Sequence, residues 1–498
     1  MRKNYLLFLL LALLSVKANA QKIEIPVDTK VVTTHSVEIL GEKISYTATT
    51  GMQPVWNEDG EPTASLFYTY YRKSGVKDLK NRPLVISFNG GPGSASVWMH
   101  IAYTGPRILE IDSEGFPVQP YGIKENPYSI LDVADIVYVN PVNTGYSRII
   151  EPEDADKKRD REQFFGVNAD VSYLAKWINT FISRNDRWLS PKYLIGESYG
   201  TTRVSGLALE LQNSQWMYLN GVILVSPTEL GIERDGPVEV ANRLPYFTAA
   251  AWYHKMLPQD LQKRDLEELL PEVEQYAVNQ LLPALVHGGF LNPEKKEELA
   301  AGMSRYSGLS EKVILQHDLE VPFRYFWKEL LRDEKGMTVG RLDSRYMGLD
   351  RKEAGDSPDY NAELTSWLHA FTPAINYYLD NELNFETDLP YFMFGPVHPW
   401  DRTRNNTGEN LRQAMAQNPN LDVMIQSGYF DGATTYFNAK YTMWQLDPSG
   451  KMKDRLNFKG YRSGHMMYLR NEDLKKANND LREFILKTLP KPGEPAMY

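Results

Sequence analysis

The 498-residue sequence contains no cysteine. This excludes disulfides, iron–sulfur clusters, thiolate zinc sites and a cysteine nucleophile. It also lacks a Lys/Arg run able to offset its acidity, and 55 basic residues are outnumbered by 64 acidic ones, for a formal charge of −9. An acidic chain without a basic patch is a poor ligand for phosphate backbones, so no nucleic-acid partner is expected. Internal repeats and low-complexity tracts are missing, and beyond the N-terminus no segment is apolar enough to span a bilayer. What remains is 42% hydrophobic and 24% charged residues, a globular composition that excludes disorder, collagen and coiled coil. The length admits one large domain or two to three ordinary ones.

The N-terminus has the form of an export signal. Arg2 and Lys3 precede an apolar run from Tyr5 to Val16, and Ala18-Asn19-Ala20 supplies the small-x-small pattern of a signal-peptidase site. The run is shorter than the ~18–20 residues of a membrane-spanning helix. We therefore expect a signal peptide over 1–20, cleavage near Ala20, and a periplasmic or secreted product with no membrane span in the mature chain. Loss of Arg2, Lys3 and Lys17 takes the charge to −12. Export without cysteine points to a bacterial compartment, because eukaryotic secreted enzymes of this size usually carry disulfides.

Two patterns alternate along the rest of the chain. Between Lys22 and Lys73, short alternating stretches such as Lys43 to Thr47 and Ala64 to Tyr70 predict antiparallel strands. Then come apolar, mostly β-branched runs: Pro83 to Phe88, Ile136 to Val139, Tyr193 to Ile195, Val222 to Val225 and Val423 to Ile425. Runs of this kind suit a parallel sheet buried on both faces. Between two of them, Gln163 to Arg184 carries Val167, Val171, Leu174, Ile178 and Ile182 at helical spacing. Strand–helix alternation predicts an α/β fold with a central, mostly parallel sheet. After Ser226 the sheet pattern stops until about Leu421. The interval reads as largely helical, with helices over Leu261 to His287 and Pro293 to Arg305 and a non-helical part over Met337 to Asp350. The expected organisation is a core over 21–230, a cap insertion over 231–415, and the rest of the core over 416–498. Cap helices of this kind either roof a site or bury a homodimer interface.

The sharpest local signal is Gly196-Glu197-Ser198-Tyr199-Gly200, directly after an apolar strand and before a helical pattern over Thr201 to Gln212. A serine on so tight a strand-to-helix turn presents its hydroxyl as a nucleophile, and the flanking glycines let the turn close. Such a nucleophile needs a base and a carboxylate later in the chain. Of eight histidines only His465, in Ser463-Gly464-His465-Met466, follows the last of the apolar runs. Asp431 follows the run ending at Ile425, again at a strand end. This predicts Ser198 as nucleophile, His465 as general base and Asp431 as its orienting carboxylate. An oxyanion hole is expected from the backbone N–H of Tyr199 and of Gly91, in the loop Asn89-Gly90-Gly91-Pro92-Gly93.

Asn89 to Ser96 together with Gly196 to Gly200 resembles the serine carboxypeptidase family, the α/β-hydrolases that include carboxypeptidase Y and cathepsin A. Further similarity runs through Asn126-Pro127-Tyr128-Ser129, Asn140 to Ser147 and Ser463 to Met466. The resemblance implies an α/β-hydrolase fold with a largely helical cap. It also implies release of C-terminal residues from peptides bearing a free C-terminus, with neither cofactor nor metal. It assigns binding of the substrate carboxylate to Asn89 and Glu197, the latter donating only when protonated. Several family positions differ here. The usual Trp is Ser87, a second Glu is replaced by Tyr103, the usual Cys is Ser94, and the start of a D-Q-P motif is Val139-Asn140. These differences leave hydrolysis intact and shift attention to how a carboxylate would be held, with Tyr103 and Arg203 as substitute anchors. An esterase or acyltransferase on the same scaffold is the alternative activity. A non-catalytic binding protein is the alternative class, opposed by the presence of Ser198, Asp431 and His465 together.

Overall fold

The computed structural model describes residues 24–498 except 153, 155, 156, 492 and 496. The expected signal segment over 1–20 lies outside the described residues. Three long strands, β1 (Thr29–Ile39), β2 (Glu42–Trp56) and β3 (Pro62–Lys73), form an antiparallel meander. The six strands that follow in the same sheet are β4 (Leu84–Phe88), β5 (Asp135–Val139), β6 (Lys192–Glu197), β7 (Gly221–Val225), β8 (Asp422–Gly428) and β9 (Leu456–Tyr461). The sheet order is β1-β2-β3-β5-β4-β6-β7-β8-β9, with β3 antiparallel to β5 and every pair beyond it parallel. A two-residue strand, Arg148–Ile149, adds to β3.

Both faces of the parallel part are covered, which is why its strands are apolar throughout rather than alternating. On one face Val85, Ile136, Ile195 and Ile223 pack with Leu474, Leu481 and Ile485 of the C-terminal helix Asn471–Lys487. On the other, Ile86, Val137, Leu194 and Leu224 pack with helices α1 (Val167–Arg184) and α2 (Tyr199–Ser214). The five predicted core runs are all strands of this sheet. One strand of the parallel part escapes the sequence pattern: β9 stands between Asp431 and His465, so the run ending at Ile425 is not the last of the core. Its residues Leu456 to Gly460 are only partly buried, and an edge strand of this kind carries no apolar signature.

Between the neighbouring strands β7 and β8 the chain makes a long, mostly helical excursion with a core of its own, in which Phe247 stacks on Phe326 at 3.9 Å. The helical stretch expected over Leu261 to His287 is a series of short helices. It comprises Gln259–Gln262, Leu266–Tyr276, a π-helical turn Ala277–Leu281 and Leu282–Leu285. The break has a local cause: the Asp265 carboxylate accepts from Glu267 N and caps a new helix, and Pro283 starts another turn. Pro293–Ser307 is capped by Asn292, close to expectation. Past its middle the excursion forms a small hairpin, Thr338–Val339 with Met347–Gly348, whose loop lies against the loops after β8 and β9. Among the described residues no helix is long and apolar enough to cross a membrane.

Candidate active site

β6 ends at Glu197 and α2 begins at Tyr199, so Ser198 alone makes the turn, with φ +57° and ψ −127°. A non-glycine residue there is strained, and the surroundings must hold it. Ser198 N donates to Val225 O at 2.9 Å, and Ser198 O accepts from Thr201 N at 2.8 Å. The glycines on either side are obligatory through close approach: a Cβ on Gly196 would lie 2.1 Å from Gly200 O, and one on Gly200 would lie 2.7 Å from Phe88 O. The turn also starts a sixteen-residue helix, so the serine stands at the positive end of its dipole.

Asp431, fully buried after β8, holds His465 through an Oδ2···Nδ1 contact of 2.7 Å. Its other oxygen, Oδ1, accepts from Ala433 N at 2.8 Å and Thr434 N at 3.1 Å, and the Thr434 hydroxyl donates to Oδ2 at 2.8 Å. The carboxylate is thus fixed in plane, and Nδ1 must carry the ring proton because the partner atom only accepts. Nε2 is left as the basic nitrogen. Burial alone would lower the His465 pKa, but the adjacent Asp431 carboxylate reverses that and raises it. His465 is held from the excursion as well, donating its backbone N–H to Leu342 O at 2.6 Å.

Ser198 and His465 line one pocket together with Gly90, Gly91, Glu197 and Arg341, and its apolar wall is formed by Trp98, Leu364, Trp367 and Phe394. Gly90 brings the loop after β4 onto the serine turn, where a Cβ would meet Tyr199 N at 2.5 Å. The Tyr199 N–H opens its helix and so has no intrahelical acceptor.

Glu197 lies beneath the pocket, almost fully buried. Asn89 Nδ2 donates to its Oε1 at 2.9 Å and the Tyr468 hydroxyl donates to Oε2. Burial pushes its pKa up to about 7, against the opposing influence of His465 and of these two hydrogen bonds. From about pH 4.5 to about 7 the folded chain therefore keeps a proton on Glu197 that the unfolded chain has released. Stability contributed by this group is full below that window and is lost as pH rises through it. Glu197→Gln removes the titration. Relative to wild type, the variant is expected to gain about 3 kcal/mol between about pH 4 and about pH 8, read by urea unfolding at both. An unchanged difference would show that Glu197 does not titrate in this range.

The structure brings Ser198, His465, Glu197 and Gly91 to one pocket, with Asp431 behind His465 and Asn89 behind Glu197. It corrects two expectations. Tyr103 is fully buried, stacks on Tyr468 at 4.7 Å and donates to Gln426 Oε1 at 2.8 Å, so it cannot reach a substrate. Arg203 is also fully buried; it pairs with Asp170 at 2.7 Å and donates to Asn89 O at 2.6 Å, bracing the Gly90–Gly91 loop from below. Both side chains are consumed by the protein interior, because residue type alone does not show which way a helix or loop turns them. Tyr468, three residues after His465, and Arg341, on the excursion, carried no sequence signal.

Residues 44–279 match the family model for serine carboxypeptidase. This part of the chain is similar to the serine carboxypeptidases. Serine carboxypeptidase-like 37 of Arabidopsis thaliana is 28% identical over 193 residues, 38% of this chain and 36% of the relative. Serine carboxypeptidase-like 8 of the same plant is 30% identical over 196 residues, 38% and 41% of the two chains. Matches to such curated relatives thus span well under half of their length. A carboxypeptidase Y homolog A of Leptosphaeria maculans is 35% identical over 91 residues, 18% of this chain and 15% of the relative. Among solved structures, the Saccharomyces cerevisiae prohormone-processing carboxypeptidase Kex1(delta)p aligns with a TM-score of 0.50 at 13% identity, covering 89% of this chain and 91% of that one. The fold of this chain is that of the α/β-hydrolases.

Proposed function

We propose that this chain is an exported serine carboxypeptidase that releases C-terminal residues from peptides through an acyl-enzyme on Ser198. The observation that carries the reading is the strained Ser198 turn opening into the same pocket as His465, whose Nδ1 is held by the buried Asp431. In this mechanism Ser198 Oγ attacks the scissile carbonyl while His465 Nε2 takes its proton. The oxyanion forms against the N–H groups of Gly91 and Tyr199, at the positive end of α2. His465 then passes the proton to the departing amine. Water, deprotonated by the same nitrogen, cleaves the ester and restores Ser198. Asn89 and protonated Glu197 serve the carboxylate side of the substrate, and the apolar wall of Trp98, Trp367 and Phe394 suits a bulky apolar residue.

The test has two parts. A fluorophosphonate probe is expected to label the wild-type protein and to leave Ser198→Ala unlabelled; an unlabelled wild type would remove the hydrolase reading. Peptides with a free C-terminus are expected to be cleaved at least about tenfold faster than their amides, given charge-assisted recognition of the acid. Equal turnover would favour the esterase or acyltransferase reading. That reading has one observation behind it: both oxygens of Glu197 are already engaged by Asn89 and Tyr468. Cleavage of the leader near Ala20 is checked by the N-terminal sequence of the exported product.

A further inference from the structure

One charge in the pocket has no part in the mechanism above. Arg341 lines the pocket beside Ser198 and His465 and is exposed there, and its guanidinium makes no hydrogen bond or ion pair among the described residues. The two neighbouring buried arginines differ in this respect. Arg345 is spent on Asp343, Ser463 and the Glu114 carbonyl, and Arg203 on Asp170 and the Asn89 carbonyl.

The backbone that carries Arg341 is fixed on every side. Arg341 O accepts from Gly432 N at 2.9 Å, in the loop of Asp431. Its neighbour Leu342 accepts from His465 N at 2.6 Å and donates to Glu363 Oε1 at 2.8 Å. The guanidinium is therefore presented from a rigid hairpin loop, and little backbone order has to be bought when a ligand arrives. Burial is the larger influence on both His465 and Glu363, yet the charge of Arg341 lowers the proton affinity of each, which places it electrically close to both.

No acid in the pocket answers this cation. Glu197, the acid that lines the pocket, is raised by burial to about 7 and tied to Asn89 and Tyr468; Glu363, fully buried outside the pocket lining, uses one oxygen on Leu342 N and is likewise pushed up to about 7. A permanent positive charge thus faces a cleft walled partly by Trp98 and Trp367, where apolar surroundings strengthen its attraction for an anion. Guanidinium geometry matches a carboxylate through two parallel N–H···O bonds.

We propose that Arg341 binds a carboxylate of the substrate next to the scissile bond and makes the site select acids over their amides. This rests on the pocket being the substrate site of the proposed hydrolase and names the residue that sets its charge preference. The carboxylate has two sources, the C-terminus of a peptide or an acidic side chain, and both offer the same chemistry to Arg341.

Titration calorimetry on the purified protein separates them without requiring turnover. N-acetylphenylalanine carries only an α-carboxylate, N-acetylglutamate α-amide only a side-chain carboxylate, and N-acetylphenylalanine amide neither. Arg341→Gln is expected to lower the affinity for one of the acids, relative to the amide, about tenfold. Arg341→Lys is expected to retain most of that preference, and Arg341→Glu to reverse it. A loss confined to the first probe assigns the C-terminal carboxylate, and one confined to the second assigns the side chain. The proposal is overturned if the acid-to-amide ratio of Arg341→Gln equals that of wild type, or if wild type binds neither acid better than the amide. Fluorophosphonate labelling of wild type reports separately on the hydrolase. Acid preference without labelling removes the hydrolase and keeps the role of Arg341; labelling without acid preference does the reverse.

Discussion

Asp431→Asn is expected to lower kcat about 10⁴-fold with little change in KM, measured on a peptide with a free C-terminus. The expectation comes from the hydrogen-bond geometry around one carboxylate. Oδ1 accepts from two backbone N–H groups, Ala433 and Thr434, so in the variant the amide oxygen must occupy that place. The amide nitrogen then falls where Oδ2 stood, 2.7 Å from His465 Nδ1. An N–H donor there forces Nδ1 to accept, so the ring proton moves to Nε2. The imidazole can no longer take the proton of Ser198. The same change removes the charge that raises the His465 pKa, so residual activity is expected to extend to lower pH than in wild type. Packing is conserved, and an unchanged thermal midpoint would separate the tautomer effect from misfolding. Activity within about tenfold of wild type would show that Asp431 does not orient the base.

The parts of the fold legible in the sequence are those in which one segment carries its own signal. β4 to β8 are apolar because both faces are buried, and α1 shows helical spacing because one face meets the sheet. The glycines around Ser198 are legible for a comparable reason: the turn tolerates no Cβ at Gly196 or Gly200, so the constraint is written at the site itself. Chain order then restricted the partners to Asp431 and His465. What escaped depends on contacts between distant segments. β9 is partly exposed and reads as polar. Arg341 reaches the pocket only because the hairpin loop is tied to the loops of Asp431 and His465. Tyr468 matters through a bond to Glu197, 271 positions earlier in the chain. Arg203 was legible as a cation near the nucleophile, but one helical turn past Ser198 the side chain points under the site and not into it.

That position of Arg203 leads to the largest expected loss of stability. Its Nε pairs with Asp170 Oδ2 at 2.7 Å, with both side chains fully buried, and Nη1 donates to Asn89 O at 2.6 Å. The one guanidinium therefore joins α1, α2 and the loop that supplies the Gly91 N–H. Arg203→Ala leaves the Asp170 carboxylate without its counter-charge in a site closed to water and strips the Asn89 carbonyl of its donor. Breaking such a pair from one side costs about 3–5 kcal/mol. Urea unfolding is expected to show a loss of this size. If the loop relaxes as well, kcat falls by a further ~10²–10³, the typical cost of one oxyanion donor. A substrate anchor behaves differently, since its loss raises KM for free acids and leaves unfolding unchanged, and that result would restore the role expected from the sequence. The paired variant Arg203→Met with Asp170→Leu covers the case in which the single variant does not fold. It removes both charges and fills the space with apolar groups, so much of the stability is expected to return. Activity is not expected to return with it, because Asn89 O still lacks its donor and the loop above it has lost its brace.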